Sequence, residues 1–167
     1  MCFTIFTKSF SQSTVEIVGD NIQLGLPVVV LGLTALEQDW EGGKQYLKSA
    51  ALALGTTFLI KGAINRTRPT GGMHSFPSGH TSFSFMNSTY IYKRYGWKLG
   101  IPATALATFV GYSRYSPETP KHFISDVIAG AIIGVGSSLL FTERKGLEIS
   151  SSASSESVFV SIRYTFP

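Results

Sequence analysis

Long apolar stretches alternate with short polar connections along the chain. Five stretches hold few or no charged residues, and they cover residues 21–36, 46–64, 80–92, 99–113 and 123–141. Each is close to, or shorter than, the ~20 residues with which an α-helix crosses a bilayer. They are apolar around most of the helix, whereas a helix in a soluble core carries one apolar stripe. The pattern predicts an all-α, integral-membrane bundle of about five to six helices, with a soluble helical core as the weaker alternative.

This pattern predicts a division of the chain into three parts. Residues 1–20 are more polar and are predicted to form an N-terminal interfacial segment. Residues 21–145 would form the membrane domain, and residues 146–167 a C-terminal tail. We expect no cleaved signal peptide, because the first residues lack both a basic region and a small-residue cleavage site.

Two smaller patterns lie near the C-terminus. Small residues recur every four positions at Gly130, Gly134 and Ser138, which indicates a face for close helix packing. Farther on, apolar residues alternate from position 158 to 166, which indicates a short strand or an interfacial tail. The apolar run at residues 2–6 is one candidate for the partner of this strand.

Composition narrows the class of partner. Of 167 residues, 44% are hydrophobic and only 14% are charged, yet the net charge is +4. The basic residues are scattered and no nucleic-acid motif occurs, so an anionic lipid or phosphate is the better partner than nucleic acid. Cys2 is the single cysteine, which excludes a disulfide or a cysteine zinc site within one chain.

If the five stretches alternate across a membrane, polar residues at their ends collect on one face. That face would hold six ionisable residues: Lys61, Arg68, His80, Arg114, His122 and Asp126. Ionisable groups at membrane depth indicate function by default. The opposite face would hold a second basic set: Lys44, Lys48, Lys93, Arg94, Lys98, Arg144 and Lys145. The positive-inside rule then places the polar cluster on the outer side of the membrane, toward a periplasm or the exterior.

The cluster has the chemistry of a phosphoryl-transfer site. Three cations would repel each other unless an anion with several oxygens, such as phosphate, lay between them. The run Pro77–Gly79 precedes a predicted helix, whose first N–H groups favour an anion. His122 and Asp126 share a helix face four residues apart, so the carboxylate can orient the ring. One histidine could then attack phosphorus, and the other could protonate the leaving oxygen.

Other chemistries fit less well. A zinc site built from His74, His80, His122 and Asp126 would lie beside three cations and has none of the usual zinc spacings. A serine hydrolase would need an elbow such as GxSxG, which the chain lacks.

Three motifs in order resemble those of the type 2 phosphatidic acid phosphatases, a superfamily shared with class A acid phosphatases and vanadium haloperoxidases. The first is KGAINRTRP from Lys61 to Pro69, and the second is PSGH from Pro77 to His80. The third is Ser113-Arg114 followed by HFISD from His122 to Asp126. Seven residues separate Arg114 from His122, where the family usually has five. Two prolines in this interval suggest a turn that loops out the excess.

The resemblance implies specific roles. His122 would be the nucleophile that forms a phosphohistidine, Asp126 would orient it, and His80 would be the general acid. The residues implied to bind phosphate are Lys61, Arg68, Ser78, Gly79 and Arg114. The resemblance implies no metal and no cofactor.

The implied function is metal-independent hydrolysis of a phosphate monoester or diphosphate on a bacterial envelope lipid, by a multi-pass protein of the bacterial inner membrane whose site faces the periplasm or exterior. Lipid A phosphate and undecaprenyl diphosphate are favoured over phosphatidylglycerol phosphate and phosphatidic acid. A loop with Gly71, Gly72 and His74 either touches the head group or is a plain flexible connection. The alternatives are a vanadate-dependent haloperoxidase and a non-catalytic protein that binds lipid phosphate. We expect no nucleic acid and no obligatory protein partner.

Overall fold

A computed structural model of the protein describes residues 13–117, 120–153 and 158–164. Within these residues the chain forms five helices and two strands. The helices are α1 (Thr14–Leu36), α2 (Trp40–Ala63), α3 (Gly79–Tyr95), α4 (Trp97–Tyr115) and α5 (Ile124–Phe141). The strands are β1 (Leu147–Ala153) and β2 (Val158–Tyr164). The predicted all-α bundle is confirmed, and each of the five apolar stretches lies within or largely within one helix.

The first helix begins earlier than its apolar pattern indicates. Ser13 is the N-cap, and its hydroxyl accepts a hydrogen bond from the N–H of Glu16 at 3.3 Å. A serine cap and an acidic first turn both stabilise a helix start, although neither is apolar. Residues 14–20 are therefore part of α1. Residues 1–12 lie outside the described part of the chain.

The bundle is apolar outside and partly polar inside. By length and hydropathy α1 and α5 could each cross a membrane. Large apolar side chains are exposed along the helices, among them Leu24, Val28, Phe58, Leu59, Ile132 and Leu140. The central helix α3 instead buries Thr81, Ser82, Ser84, Asn87 and Ser88. Because the other helices surround α3, its sequence does not need to be apolar.

Close packing between α3 and α5 depends on the predicted small-residue face. A Cβ at Gly130 would lie 2.5 Å from the carbonyl oxygen of Ser78, and a Cβ at Gly134 would clash with the carbonyl oxygen of Ser82. Only glycine lets the two backbones approach this closely. The stripe of small residues is therefore structural.

A buried ion pair closes the opposite end of the bundle. The guanidinium of Arg94 donates from Nε to Oδ2 of Asp39 at 2.7 Å and from Nη2 to Oδ1 at 2.5 Å. Asp39 is also the N-cap of α2, since Oδ1 accepts from the N–H of Gly42. Burial opposes the ionised form, but these donors together hold the pKa of Asp39 below its ordinary value. Arg94 was expected in the basic set opposite the polar cluster, and the structure places it at that end as a buried partner of Asp39.

The alternation at the C-terminus does form a strand. β2 pairs antiparallel with β1, and the register runs from Leu147 opposite Tyr164 to Ala153 opposite Val158. Strands separated by a short connection pair readily, because closing a short loop costs little entropy. The partner of the strand is thus its neighbour in sequence, whereas the candidate run at residues 2–6 lies outside the described residues.

Gly134→Leu tests the contact between α3 and α5. We expect it to lower the free energy of unfolding by about 1–3 kcal/mol or more, because the side chain must displace backbone. Gly136→Leu is the matched control, since a Cβ there meets nothing within 4 Å. Thermal unfolding in detergent would compare the two, and equal melting temperatures would contradict the packing described.

Candidate active site

A cavity of about 600 Å³ opens at the end of the bundle where α1, α3 and α5 begin and α2 and α4 end. Its wall contains six of the eight residues predicted to act on phosphate: Lys61, Arg68, Gly79, His80, Arg114 and His122. Asp126, with none of its side chain exposed, lies next to His122. The order of the helices thus brings groups from three separate sequence segments to one place.

The ring of His122 is contacted at one nitrogen only. Nδ1 lies 3.5 Å from Oδ2 of Asp126 and 3.5 Å from Oγ of Ser75. Both oxygens can accept a proton from Nδ1, which favours the tautomer with an unprotonated Nε2. Nε2 has no hydrogen-bond partner among the described residues, and His122 lines the cavity. The ring therefore has the form of a nitrogen nucleophile.

The negative charge of the buried Asp126 carboxylate is offset by hydrogen-bond donors to both of its oxygens. Oδ1 accepts from Nη1 of Arg66 at 2.8 Å. Oδ2 accepts from Oγ of Ser75 at 2.5 Å and from the N–H of Phe123 at 3.1 Å. A buried carboxylate stays ionised only with such partners. Arg66 is itself held by Ser125 and by the ring of Phe123, whose centroid lies 4.1 Å away.

Electrostatics keep His122 neutral. Burial, followed by the positive charges of Arg68 and Lys61, lowers the pKa of His122 well below its ordinary value. Asp126 acts in the opposite direction but does not outweigh them. A neutral ring at physiological pH is what an attacking nitrogen requires.

The connection from α2 to α3 supplies two of the cations. Nζ of Lys61 donates to the carbonyl oxygens of His74 at 2.9 Å and Pro77 at 2.7 Å. Nε of Arg68 donates to the carbonyl of Met73 at 3.3 Å, which leaves its terminal nitrogens available at the cavity. Backbone carbonyls therefore position both cations without neutralising their charge.

Two residues of the PSGH motif, Ser78 and Gly79, have different surroundings at the start of α3. Ser78 is fully buried: its hydroxyl caps the helix and contacts Thr81, and its N–H donates to the carbonyl of Asp126 at 2.9 Å. Ser78 is not among the residues of the cavity wall and its hydroxyl is engaged at the helix start, so its contact with phosphate stays a prediction. Gly79 does line the cavity, and the N–H groups of a first helical turn have no partner within the helix.

Arg114 is positioned by its neighbours in spite of the longer interval that follows it. Its side chain is 2% exposed, Nε donates to Oγ of Ser113, and Nη2 donates to the carbonyl of Glu16. Its own carbonyl accepts from the N–H groups of both Lys121 and His122. These bonds hold His122 next to the end of α4, and Arg114 lines the cavity.

Three site residues were not predicted. Arg66 and Ser75 contact Asp126, and Asp20 on α1 pairs with Arg114 at 2.9 Å and with His80 at 3.2 Å. Arg66 had a weak signal, as a second cation within the first motif. Ser75 and Asp20 had none, because only the packing of α1 and of the loop places them there.

The comparisons with known proteins agree with this geometry. The family model described as "PAP2 superfamily" matches residues 70–146. Lipid A 4'-phosphatase of Helicobacter pylori is 29% identical, over 77% of this chain and 70% of the relative. Lipid A 1-phosphatase of Porphyromonas gingivalis is 30% identical over 70% of this chain, but only 28% of that longer relative is covered.

Two solved structures share the fold. LpxE of Aquifex aeolicus superposes with a TM-score of 0.64 at 20% identity, covering 78% of this chain and 87% of that one. A PAP2-type phosphatidylglycerolphosphate phosphatase of Bacillus subtilis gives a TM-score of 0.59 at 21% identity, covering 79% and 77%. Both similarities concern the helical fold.

Histidine NMR would test the electrostatics around His122. In labelled protein in micelles, its ring should remain neutral at a pH where an ordinary histidine is already protonated. Arg68→Gln should raise the pKa of His122, because a cation that disfavours the imidazolium is removed. Arg144→Gln, at the other end of the bundle, is the charge-matched control. An ordinary pKa in the unmodified protein, or no response to Arg68→Gln, would contradict the description.

Proposed function

We propose that this chain, as a member of the PAP2 superfamily, removes a phosphate monoester from lipid A through a phosphohistidine at His122. The broader class, a membrane lipid phosphatase, follows from the family and its named relatives. The choice of lipid and the covalent intermediate are the proposal.

One observation carries the proposed mechanism. His122 has Nδ1 against Asp126 and Ser75, and it shares a cavity with four cationic residues and a second histidine. Such a cavity provides a nucleophile, positive charge for the phosphoryl oxygens and a group for proton transfer. These are the requirements of phosphoryl transfer through a covalent intermediate.

In the first step, Nε2 of His122 would attack phosphorus, and the bond from phosphorus to the lipid oxygen would break. His80 would give its proton to that oxygen, which leaves as the lipid hydroxyl. Asp126 would stabilise the positive charge on the ring of His122. Lys61, Arg68 and Arg114 would offset the charge on the phosphoryl oxygens.

In the second step, water would attack the phosphohistidine. His80, now neutral, would accept a proton from the water, and the bond from phosphorus to Nε2 would break to release inorganic phosphate. The site would return with Nε2 of His122 unprotonated and His80 protonated.

The names of the relatives favour lipid A over the other candidate lipids. Two of them are lipid A phosphatases, and they act at different positions of the lipid. Undecaprenyl diphosphate remains the second candidate. Phosphatidylglycerol phosphate also belongs in any assay, because a solved structure of similar fold is named for it.

We further propose a multi-pass arrangement in a bacterial inner membrane, with the cavity facing the periplasm. Cations at the cavity are engaged by carboxylates and carbonyls, as with Arg66 on Asp126 and Lys61 on Pro77. At the other end, Lys98 and Arg144 are exposed and have no ion-pair partner among the described residues. The positive-inside rule assigns that end to the cytoplasm.

The activity is tested with purified protein in detergent and a panel of lipid A, undecaprenyl diphosphate, phosphatidylglycerol phosphate and phosphatidic acid. We expect phosphate release from lipid A that survives a metal chelator. His122→Ala should reduce turnover by at least about a thousandfold, because no other group lies in its place. Protein denatured in alkali should keep the radiolabel from labelled substrate, and acid should release it, because the bond from phosphorus to nitrogen in a phosphohistidine is stable in base and labile in acid.

Arg144→Gln serves as the control variant, with activity expected to match the unmodified protein. Full activity in His122→Ala would sink the mechanism, and loss of activity with chelator would sink the metal-independent reaction. Hydrolysis of another lipid in preference to lipid A would overturn the choice of substrate.

Cysteine labelling tests the orientation. In a Cys2→Ser background, Thr70→Cys lies near the cavity and Lys98→Cys lies at the opposite end, and both positions are exposed. A membrane-impermeant maleimide added to spheroplasts should label position 70 at once and position 98 only after permeabilisation. The reverse pattern would invert the proposed topology.

A further inference from the structure

The cavity already contains an anion supplied by the chain itself. Asp20, one turn beyond the first acidic residue of α1, lines the cavity wall. Its Oδ1 lies 2.9 Å from Nη1 of Arg114 and 3.2 Å from Nε2 of His80. These are two groups that the proposed reaction assigns to the phosphoryl group and the leaving oxygen. A carboxylate oxygen therefore lies where an oxygen of the substrate phosphate is expected.

The contact of Asp20 is held by charge and not by directed hydrogen bonds. Oδ1 is buried, yet no donor from the described part of the chain reaches it with hydrogen-bond geometry. The side chain is 31% exposed, whereas that of Arg114 is 2% exposed. A partly exposed carboxylate without directed bonds can leave at low cost, because water and rotamer freedom compensate for the loss.

Arg114 does not depend on Asp20 for its position. Its Nε is bonded to Ser113 and its Nη2 to the carbonyl of Glu16, so the guanidinium stays in place when Nη1 changes its partner. Glu16 itself differs from Asp20, because its side chain is 1% exposed and pairs with Lys121 outside this exchange. Of the two acidic residues on this face of α1, only Asp20 lies in the cavity wall.

We propose that Asp20 is a resident carboxylate that occupies part of the phosphate position in the empty site and is displaced when phosphate binds. This inference rests on the proposed function, since it assumes that the cavity binds a phosphoryl group. In the empty site Asp20 reduces the repulsion among Arg114, His80 and the neighbouring cations. In the loaded site it competes with phosphate and weakens the binding of the anion.

Displacement and return of Asp20 would affect the release of the product, inorganic phosphate. Inorganic phosphate is a small anion that three cations would otherwise retain, because it gains charge-assisted hydrogen bonds from each of them. A carboxylate that returns to Arg114 and His80 favours its release. Asp20 is thus a positioning residue that sets how tightly the site binds anions, and it takes no part in bond making or breaking.

The test is the affinity for inorganic phosphate, measured by titration calorimetry on the detergent-purified protein. Asp20→Asn should bind phosphate about tenfold more tightly than the unmodified protein, since a like charge a few ångströms away is removed. The inhibition constant of phosphate against lipid hydrolysis should fall by the same factor. Asp20→Ala should behave alike, and size exclusion with thermal unfolding would verify that both variants fold.

Glu37→Gln is the matched control, because it removes one negative charge from the other end of α1, where Glu37 pairs with Lys145. Its phosphate affinity should be unchanged. Unchanged or weaker phosphate binding in Asp20→Asn would overturn the inference, as would equal tightening in Glu37→Gln.

An assay of lipid hydrolysis by the unmodified protein distinguishes a failure of the proposed function from a failure of the role of Asp20. Hydrolysis of lipid A together with an unaltered phosphate affinity in Asp20→Asn overturns the role of Asp20 alone. Tighter phosphate binding in the variant without any lipid hydrolysis by the unmodified protein overturns the proposed function and leaves the role of Asp20 supported.

Discussion

The buried carboxylate of Asp126 is the constraint on which the active end of the bundle depends. A charge with no solvent exposure is stable only if every lone pair has a donor, and the donors come from distant parts of the chain. Arg66 and Ser75 belong to the connection between α2 and α3, while Phe123 lies at the start of α5. The carbonyl of Asp126 accepts from Ser78 as well. One residue thus joins all three motif segments, and the ring of His122 is oriented by the same carboxylate.

Close approach of α3 and α5 makes this arrangement possible. In a bilayer, lipid tails are as apolar as the helices, so association depends on van der Waals contact and hydrogen bonds. Gly130 lies against the carbonyl of Ser78, and this is also where the N–H of Ser78 reaches Asp126. A larger residue at position 130 would push the two helices apart and break this hydrogen bond between Ser78 and Asp126. The same few atoms therefore maintain both the helix packing and a hydrogen bond of the site. The small residues of α5 support the site although they do not line the cavity.

The sequence alone predicts the helices and the named groups of the cavity, because apolar length and motif order are local properties that up-and-down packing brings together. It does not predict Ser75 or Asp20, since neither residue belongs to a pattern and both act through contacts across more than forty positions. The sequence also does not predict the surroundings of Ser78, because a serine in a phosphate-binding motif and a serine that caps a helix look alike in sequence. Only burial distinguishes the two.

The interval between Arg114 and His122 shows how such a site tolerates variation in length. The carbonyl of Arg114 accepts hydrogen bonds from the N–H groups of Lys121 and His122, so the two ends of the loop meet. Closing a slightly longer loop costs little extra entropy, and Lys121 adds an ion pair to Glu16 that fixes one end to α1. The distance between Arg114 and His122 is therefore set by these end contacts and not by the number of residues between them.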